Sequence, residues 1–286
     1  MISNTLWEVR PAGDDRYIVT ADGKPFAEYV YDTKFYKPYF GAILDREGNS
    51  FTRLDFTTRE HPHHRSVFVA IGDVNGVDLW NEPADCGIIR TVKVDGMESG
   101  GSYASFTAHN RWHDHSMKPL LDETTAYRVS DNGEGSDILD MTVTLTAAYG
   151  EVVFGATKEA GPLGIRVRDE LRADTGSGVI LNAEGGVGEA ECWGKSSRWC
   201  DYAGEVEGVG HMGITVFDHP DNERWPTAWH VRNYGLFAAN NLYFKGGYTL
   251  KEGESVTYRF RIIFRRAPIT SENIEAQYKA YIKEEK

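Results

Sequence analysis

The chain has 286 residues, 41% of them hydrophobic and 26% charged, with a formal net charge of −12. Lys and Arg are scattered along it, so the phosphate-neutralising surface on which nucleic-acid affinity rests is missing, and DNA and RNA are not expected partners. No run approaches the roughly 20 apolar residues of a membrane helix, and the start, MISNTLWEVRPAGDD, lacks the basic and apolar regions of a secretory leader, so a soluble cytoplasmic protein without membrane partners is expected.

Short β-branched and aromatic runs recur between Gly, Asp, Asn and Pro clusters: RYIVT, KPFAEYVYD, YFGAIL, SVFVAI, GIIRTVKV, SYASFTAH, ILDMTVTLTAA, LGIRVRDEL, GITVF, YGLFAA and SVTYRFRIIF. This spacing predicts a largely antiparallel all-β protein. Met141, Val143 and Leu145 alternate with Thr142, Thr144 and Thr146, giving one buried and one wetter face. A helix is expected only at the end, about residues 271–284, capped by Thr270 or Ser271 and carrying a stripe of Ile274, Tyr278, Tyr281 and Ile282. SDNGEGSD (130–137) reads as a hairpin loop, and the expectation is one domain over 1–286, a large two-sheet antiparallel β-sandwich; two smaller sandwiches meeting near 130–137 are the alternative. Cys86, Cys192 and Cys200, an odd number without CxxC spacing, suit a reduced compartment and oppose a disulfide framework or a thiolate zinc site.

The first stretch that could carry chemistry is HPHHR (61–65), ahead of SVFVAI. Read as extended chain, period 2 puts His61 and His63 on one face and His64 on the other. His61, His63 and His64 could then be ligands of a divalent metal or acid/base groups, and the plain alternative is a strand-entry loop. In GDVNGVDLW, Asn75-Gly76 marks a hairpin, while Trp80 and Asn81 could grip the C–H face and hydroxyls of a sugar.

HNRWHDHSMKPLLDE (109–123) brings three more histidines; His113 and His115, around Asp114, read as solvated turn residues, with Glu123 a possible pocket wall. In TKEAGPLGIRVRDE (157–170), Glu159 stands beside Lys158 and near Arg166, more often a salt-bridge pattern than a catalytic pair unless it faces the histidines. FDHPDNERWPTAWHVRNYGLFAANN (217–241) is irregular and dense in specific side chains. His219, Trp229, His230, Arg232, Asn233, Tyr234 and Asn240 could converge there, in a ligand pocket or in a plain structural crossover.

HPHHR with GDVNGVDLW, then KEAGPLGIRV, then WGKSSRWCDYAG, then FDHPDNERWPTAWHVRNYGLFAANN, in that order, resembles a bacterial family labelled "methane oxygenase PmoA", from about Tyr39 to the terminal helix. The chain departs from that pattern at Ser66 where Gly is expected, at KEAG for KEGG, and at Asn233 for Asp. The label describes a membrane protein of spanning helices, which this chain lacks. What the resemblance implies is a sandwich similar to galactose mutarotases, found beside sugar oxidoreductases in carbohydrate catabolism.

The leading expectation is an enzyme acting on a sugar or keto-glycoside by proton transfer, with C–O cleavage, as in a lyase or hydrolase, or epimerisation. Its reactive set would be His63, His64, His230 and Glu159. Arg65, Arg166 and Arg232, or a metal, would stabilise the oxyanion, and Trp80 and Trp229 would orient the ring. A non-catalytic carbohydrate-binding or accessory subunit is the second reading, and a metal-dependent oxygenase the third. A homo-oligomer is compatible with all three.

Overall fold

The computed structural model describes residues 4–54 and 60–284. Alternation along the strands does what period 2 demands: in Ser136–Thr146, Met141, Val143 and Leu145 are buried and the intervening threonines half-buried. The same pattern runs through Tyr103–His113 and Ser255–Arg265. These strands lie in an eight-stranded antiparallel sheet ordered Val179–Asn182, Trp199–Val206, Gly210–Asp218, Ser255–Arg265, Ser136–Thr146, Pro119–Asp131, Tyr103–His113 and Ile88–Glu98. A second eight-stranded sheet is ordered Trp7–Pro11, Arg16–Ala21, Lys24–Val30, Tyr39–Phe40, Val67–Ile71, Ala160–Arg166, Leu236–Ala239 and Trp229–Val231. Val152–Phe154 and Tyr248–Leu250 form a further pair.

The inner faces meet in one core. Phe26 packs edge-on against Trp7 at 5.2 Å and against Phe264 of the other sheet at 6.0 Å. Tyr127 crosses the same gap to Phe40 at 5.0 Å and Tyr29 at 5.4 Å. Each such pair adds about 0.5–1.5 kcal/mol beyond its buried area. The architecture is the expected two-sheet β-sandwich. The helix Ser271–Glu284 closes it, burying Ile274, Tyr278 and Tyr281 on Trp199 and Phe217. Thr270 caps it, accepting from the Asn273 amide at 3.3 Å. Among the described residues no helix is long and apolar enough to cross a membrane.

The stretch 130–137 is the hairpin read from the sequence, joining neighbouring strands of one sheet. The 13-residue strand Pro119–Asp131 does not stand out in the sequence because two of its inward positions are polar. Glu123 points into the core rather than a ligand pocket, accepting from Asn110 at 2.9 Å, Trp112 at 2.7 Å and Thr125 at 2.6 Å. A buried carboxyl is tolerated when its lone pairs are occupied in this way.

The sheet containing Val67–Ile71 is covered on both sides, and this positions the site. Val67, Val69 and Ile71 enter the main core, whereas Phe68 and Ala70 join a smaller apolar cluster on the outer face with Trp80, Leu236 and Ala238. A strand buried twice reads as an unbroken apolar run, as VFVAI does.

Candidate functional site

HPHHR is not extended. The His64 amide donates to the His61 carbonyl at 3.0 Å, closing a turn with Pro62 at its second position, where a fixed φ is favoured. His61 has φ +58° and Ser66 φ +39°, the left-handed region in which glycine is at ease. Ser66 is held there by its hydroxyl, which donates to Gly41 O at 2.6 Å and accepts from the Thr52 hydroxyl at 2.8 Å. The expected split of the histidines between two faces is therefore corrected: the turn gathers all three imidazoles. His61 and His64 stack at 4.9 Å with 2° between their planes, and His63 stands edge-on to His64 at 4.4 Å.

Behind them lies a charged layer. Glu82 takes a bidentate bond from Arg65, at 2.6 Å on Nη2, and one from Lys37 at 2.6 Å. Burial alone would raise the Glu82 carboxyl, but Arg65 and Lys37 hold it below its ordinary value. Lys37 also donates to the Trp80 carbonyl at 2.9 Å, and burial pulls its ammonium down to about 8. Burial, then the Lys37 charge, drops His63 to about 4. Burial, then His63, pushes His64 well below its ordinary value. The His64 Nε2 accepts the Trp80 indole N–H at 3.2 Å.

The second wall comes from far along the chain. His230 lies between Trp229 and Val231, which point into the main core, so period 2 turns its side chain to the outer face. Its Nδ1 accepts the Trp193 indole N–H at 2.9 Å, and burial, followed by Arg232 and Lys158, lowers it to about 4. Trp193 is braced edge-on by Phe244 at 5.0 Å. Gly194 permits this: φ is +73°, and a Cβ there would come within 2.7 Å of the Phe244 ring. Arg232 pairs with Glu189 at 3.1 Å and lies 5.5 Å from the centre of the Tyr234 ring, which stacks on His61 at 4.7 Å.

Lys158 and Glu159 arrive on the loop before Ala160–Arg166. Asn240 pins that loop, donating to the Lys158 carbonyl at 2.9 Å. The Glu159 carboxylate accepts from Thr157 Oγ1 at 3.1 Å and lies 3.6 Å from the Lys158 ammonium.

These walls enclose a cavity of about 240 Å³. His61, His63, His64, Trp80 and Asn81 line one side of the sequence divide; Lys158, Glu159, His230, Arg232, Tyr234 and Leu236 line the other. A larger space of about 690 Å³ opens elsewhere, between Asp45, Arg46, Asp137 and Arg266. Its charges already pair with one another, Arg46 with Asp137 at 2.7 Å and Arg266 with Asp45.

Several sequence-predicted contacts lie elsewhere. Trp229 is fully buried and donates to Ser197 O at 2.8 Å, so it offers no face to a ring. Trp80 touches the cavity, but its indole serves His64. His219 packs against Tyr281 of the terminal helix at 5.5 Å. Asn233 belongs to a turn, its amide donating to Glu189 at 2.5 Å. Asn240 supports the 157–158 loop, and Arg65 is spent on Glu82. Arg166, fully buried, lies 5.1 Å from the Tyr234 ring centre on the sheet side and does not line the cavity. The sequence reading missed Lys158 and Leu236 as lining and Trp193 and Lys37 as supports; only the WGK of the third motif pointed to Trp193.

The histidine trio does not fit a metal centre. An imidazole lone pair lies in the ring plane, so parallel rings 4.9 Å apart cannot aim at one ion, and His64 Nε2 is occupied by an indole. Among the described residues no group of three or more His, Cys, Asp or Glu is arranged to hold one.

A family model described as a family of unknown function (DUF6807) matches residues 16–279. The chain belongs to this DUF6807 family. The resemblance to the methane oxygenase label is corrected accordingly: four short motifs shaped by turns and packing suggested it, and the match over most of the chain assigns another family. No curated protein matches this DUF6807 chain. Among solved structures it is similar to a family 36 α-galactosidase from Geobacillus stearothermophilus, at 11% identity and TM-score 0.47, covering 90% of this chain and 41% of that one. It is similar to a galactose 1-epimerase from Lactobacillus acidophilus at 8% identity and TM-score 0.44, covering 93% and 99%. A 4-α-glucanotransferase from Thermococcus litoralis follows at 12% identity and TM-score 0.37, covering 93% and 40%. This DUF6807 chain thus spans about two fifths of the α-galactosidase and the glucanotransferase. Likenesses this distant carry nothing about its site, which is argued from its own residues.

Proposed function

We propose that this chain is an enzyme that moves protons on a small sugar. The observation that carries the reading is one cavity of about 240 Å³ holding a carboxylate, Glu159, two cations, Lys158 and Arg232, and the imidazole of His230. The volume lies below the roughly 300 Å³ at which drug-sized sites begin, which suits a single sugar ring. Glu159 takes a proton from the anomeric hydroxyl of an aldose, or from the C–H beside the keto group of a keto-glycoside. In the first case the ring C–O bond breaks, the ring oxygen receives the electron pair and the proton that Glu159 has taken, and reclosure by the reverse steps gives the other anomer. In the second an enolate forms, and the oxygen at the neighbouring position leaves with its electron pair and takes the proton held by Glu159. Both routes develop negative charge on oxygen, which Lys158, Arg232 and His230 stabilise. Free, buried Cys86, Cys192 and Cys200 suit a reducing compartment, consistent with the cytoplasm.

The alternative of a sugar-binding subunit without turnover loses its main support, because Trp80 and Trp229 are buried rather than presented as ring platforms. Polarimetry on freshly dissolved aldoses and NMR of 3-keto-glycosides, each with the parent and with Glu159→Gln, tests the proposal. Accelerated anomerisation or elimination that Glu159→Gln abolishes is expected. Sugar affinity with neither reaction above the uncatalysed rate overturns it.

A further inference from the structure

We infer that Trp193 and Trp80 are positioning residues that hold His230 and His64 as neutral N–H donors in opposite tautomers. The inference deepens the proton-transfer reading by assigning which groups can act as its base. An indole nitrogen only donates, so the imidazole nitrogen it faces must carry a lone pair. Trp193 faces Nδ1 of His230 at 2.9 Å, which leaves the proton on Nε2. Trp80 faces Nε2 of His64 at 3.2 Å, which leaves the proton on Nδ1. That Nδ1 is buried and has no hydrogen-bond partner among the described residues.

Taking a proton at the remaining nitrogen would need the tautomer to reverse, setting N–H against N–H at the indole. Becoming imidazolium would break the same bond and place a cation beside others. His230 is near Arg232 and Lys158, and His64 is near His63, His61, Arg166 and Lys37; among the described residues no carboxylate bonds either ring. His230 therefore acts as an electrophile, stabilising charge on a substrate oxygen without titrating near neutrality, while His64, its Nδ1 closed off, stays a neutral part of the wall. Within the reactive set His63, His64, His230 and Glu159, this assigns the base to Glu159.

The test is nitrogen-15 NMR of the imidazoles in the parent protein, which needs no substrate. A protonated Nε2 and a bare Nδ1 on His230, and the reverse on His64, unchanged from pH 5 to 8, are expected. The opposite tautomers, or a titration within that range, overturn the inference. In Trp193→Phe, the His230 signals should shift toward the other tautomer; a folded variant with unchanged signals overturns it too. With an aldose or keto-glycoside that is turned over, His230→Gln, which keeps an N–H donor, should retain about a tenth of kcat/KM and the parent pH profile, while His230→Phe falls about a hundredfold. Equal loss in both variants overturns the donor role. Correct tautomers with no turnover of any sugar leave the tautomer assignment standing and remove the proposed function instead.

Discussion

Two histidine-rich stretches, 61–64 and 109–115, differ little in composition and greatly in use. His109 faces outward from its sheet, half-buried, with Asp95 at 3.0 Å and Thr124 at 3.3 Å. His115 sits in a turn that Asp114 organises, its carboxylate accepting from the Ser116 and Lys118 amides at 2.8 and 2.9 Å. His61, His63 and His64 instead meet under a sheet face roofed by loops, with Trp80 and Lys37 behind them. The lesson is that cover, not composition, sets what an imidazole can do. On the open face solvent and neighbouring acids satisfy it, whereas on the covered face burial drives it neutral and an indole decides where its proton sits.

The comparison breaks hardest at the carboxylate. Glu159→Gln should lower sugar turnover by about 10²–10⁴-fold, and His109→Ala should leave it unchanged; equal losses in a steady-state assay would mean that the covered face is not the active one. Tryptophans test it next. Trp80 and Trp112 are both fully buried, so Trp80→Ala and Trp112→Ala should each cost about 3–5 kcal/mol in denaturant unfolding. Only Trp80→Ala should also remove activity from the fraction that remains folded.

A pH series sharpens it further. His230 stands at about 4 in the folded chain, below its ordinary 6.5, so between those values the unfolded chain binds more protons. The stability due to this group is therefore full above pH 6.5 and lost as pH falls toward 4. His230→Gln should lose on the order of 2 kcal/mol less than the parent between pH 7 and 5. Asp218, which burial pushes up to about 7, acts with the opposite sign but is common to both proteins and cancels in the difference. The smallest expected effect is on the open face, where His115→Ala should change stability by less than about 0.5 kcal/mol, read as a shift in Tm.

Much of the scaffold was legible because period 2 is a local signal. The Thr142–Leu145 alternation, the Asn75-Gly76 hairpin and the apolar stripe of the terminal helix all read directly from the chain. The strand Pro119–Asp131 did not, since Glu123 and Thr125 occupy inward positions and only partners on other strands make them tolerable there. In the site, His61, His63, His64, Glu159, His230, Arg232, Tyr234 and Asn81 all stood out as candidates and do share a cavity. Trp229 and His219 stood out equally and do not, because composition cannot tell an aromatic that faces a ligand from one that faces the core.

By itself, then, the sequence determined the strand periodicity, the turns and the supply of imidazoles, carboxylates and indoles, all properties of residues within a few positions of one another. Tertiary structure alone decided that residues 61–64, 80, 158–159 and 230–236 enclose one cavity, and that Trp80 and Trp193 fall on particular nitrogens of His64 and His230. The reason is physical: a proton's position on an imidazole is fixed by the direction of a donor that arrives from a distant strand, and direction exists only once the sheets have packed.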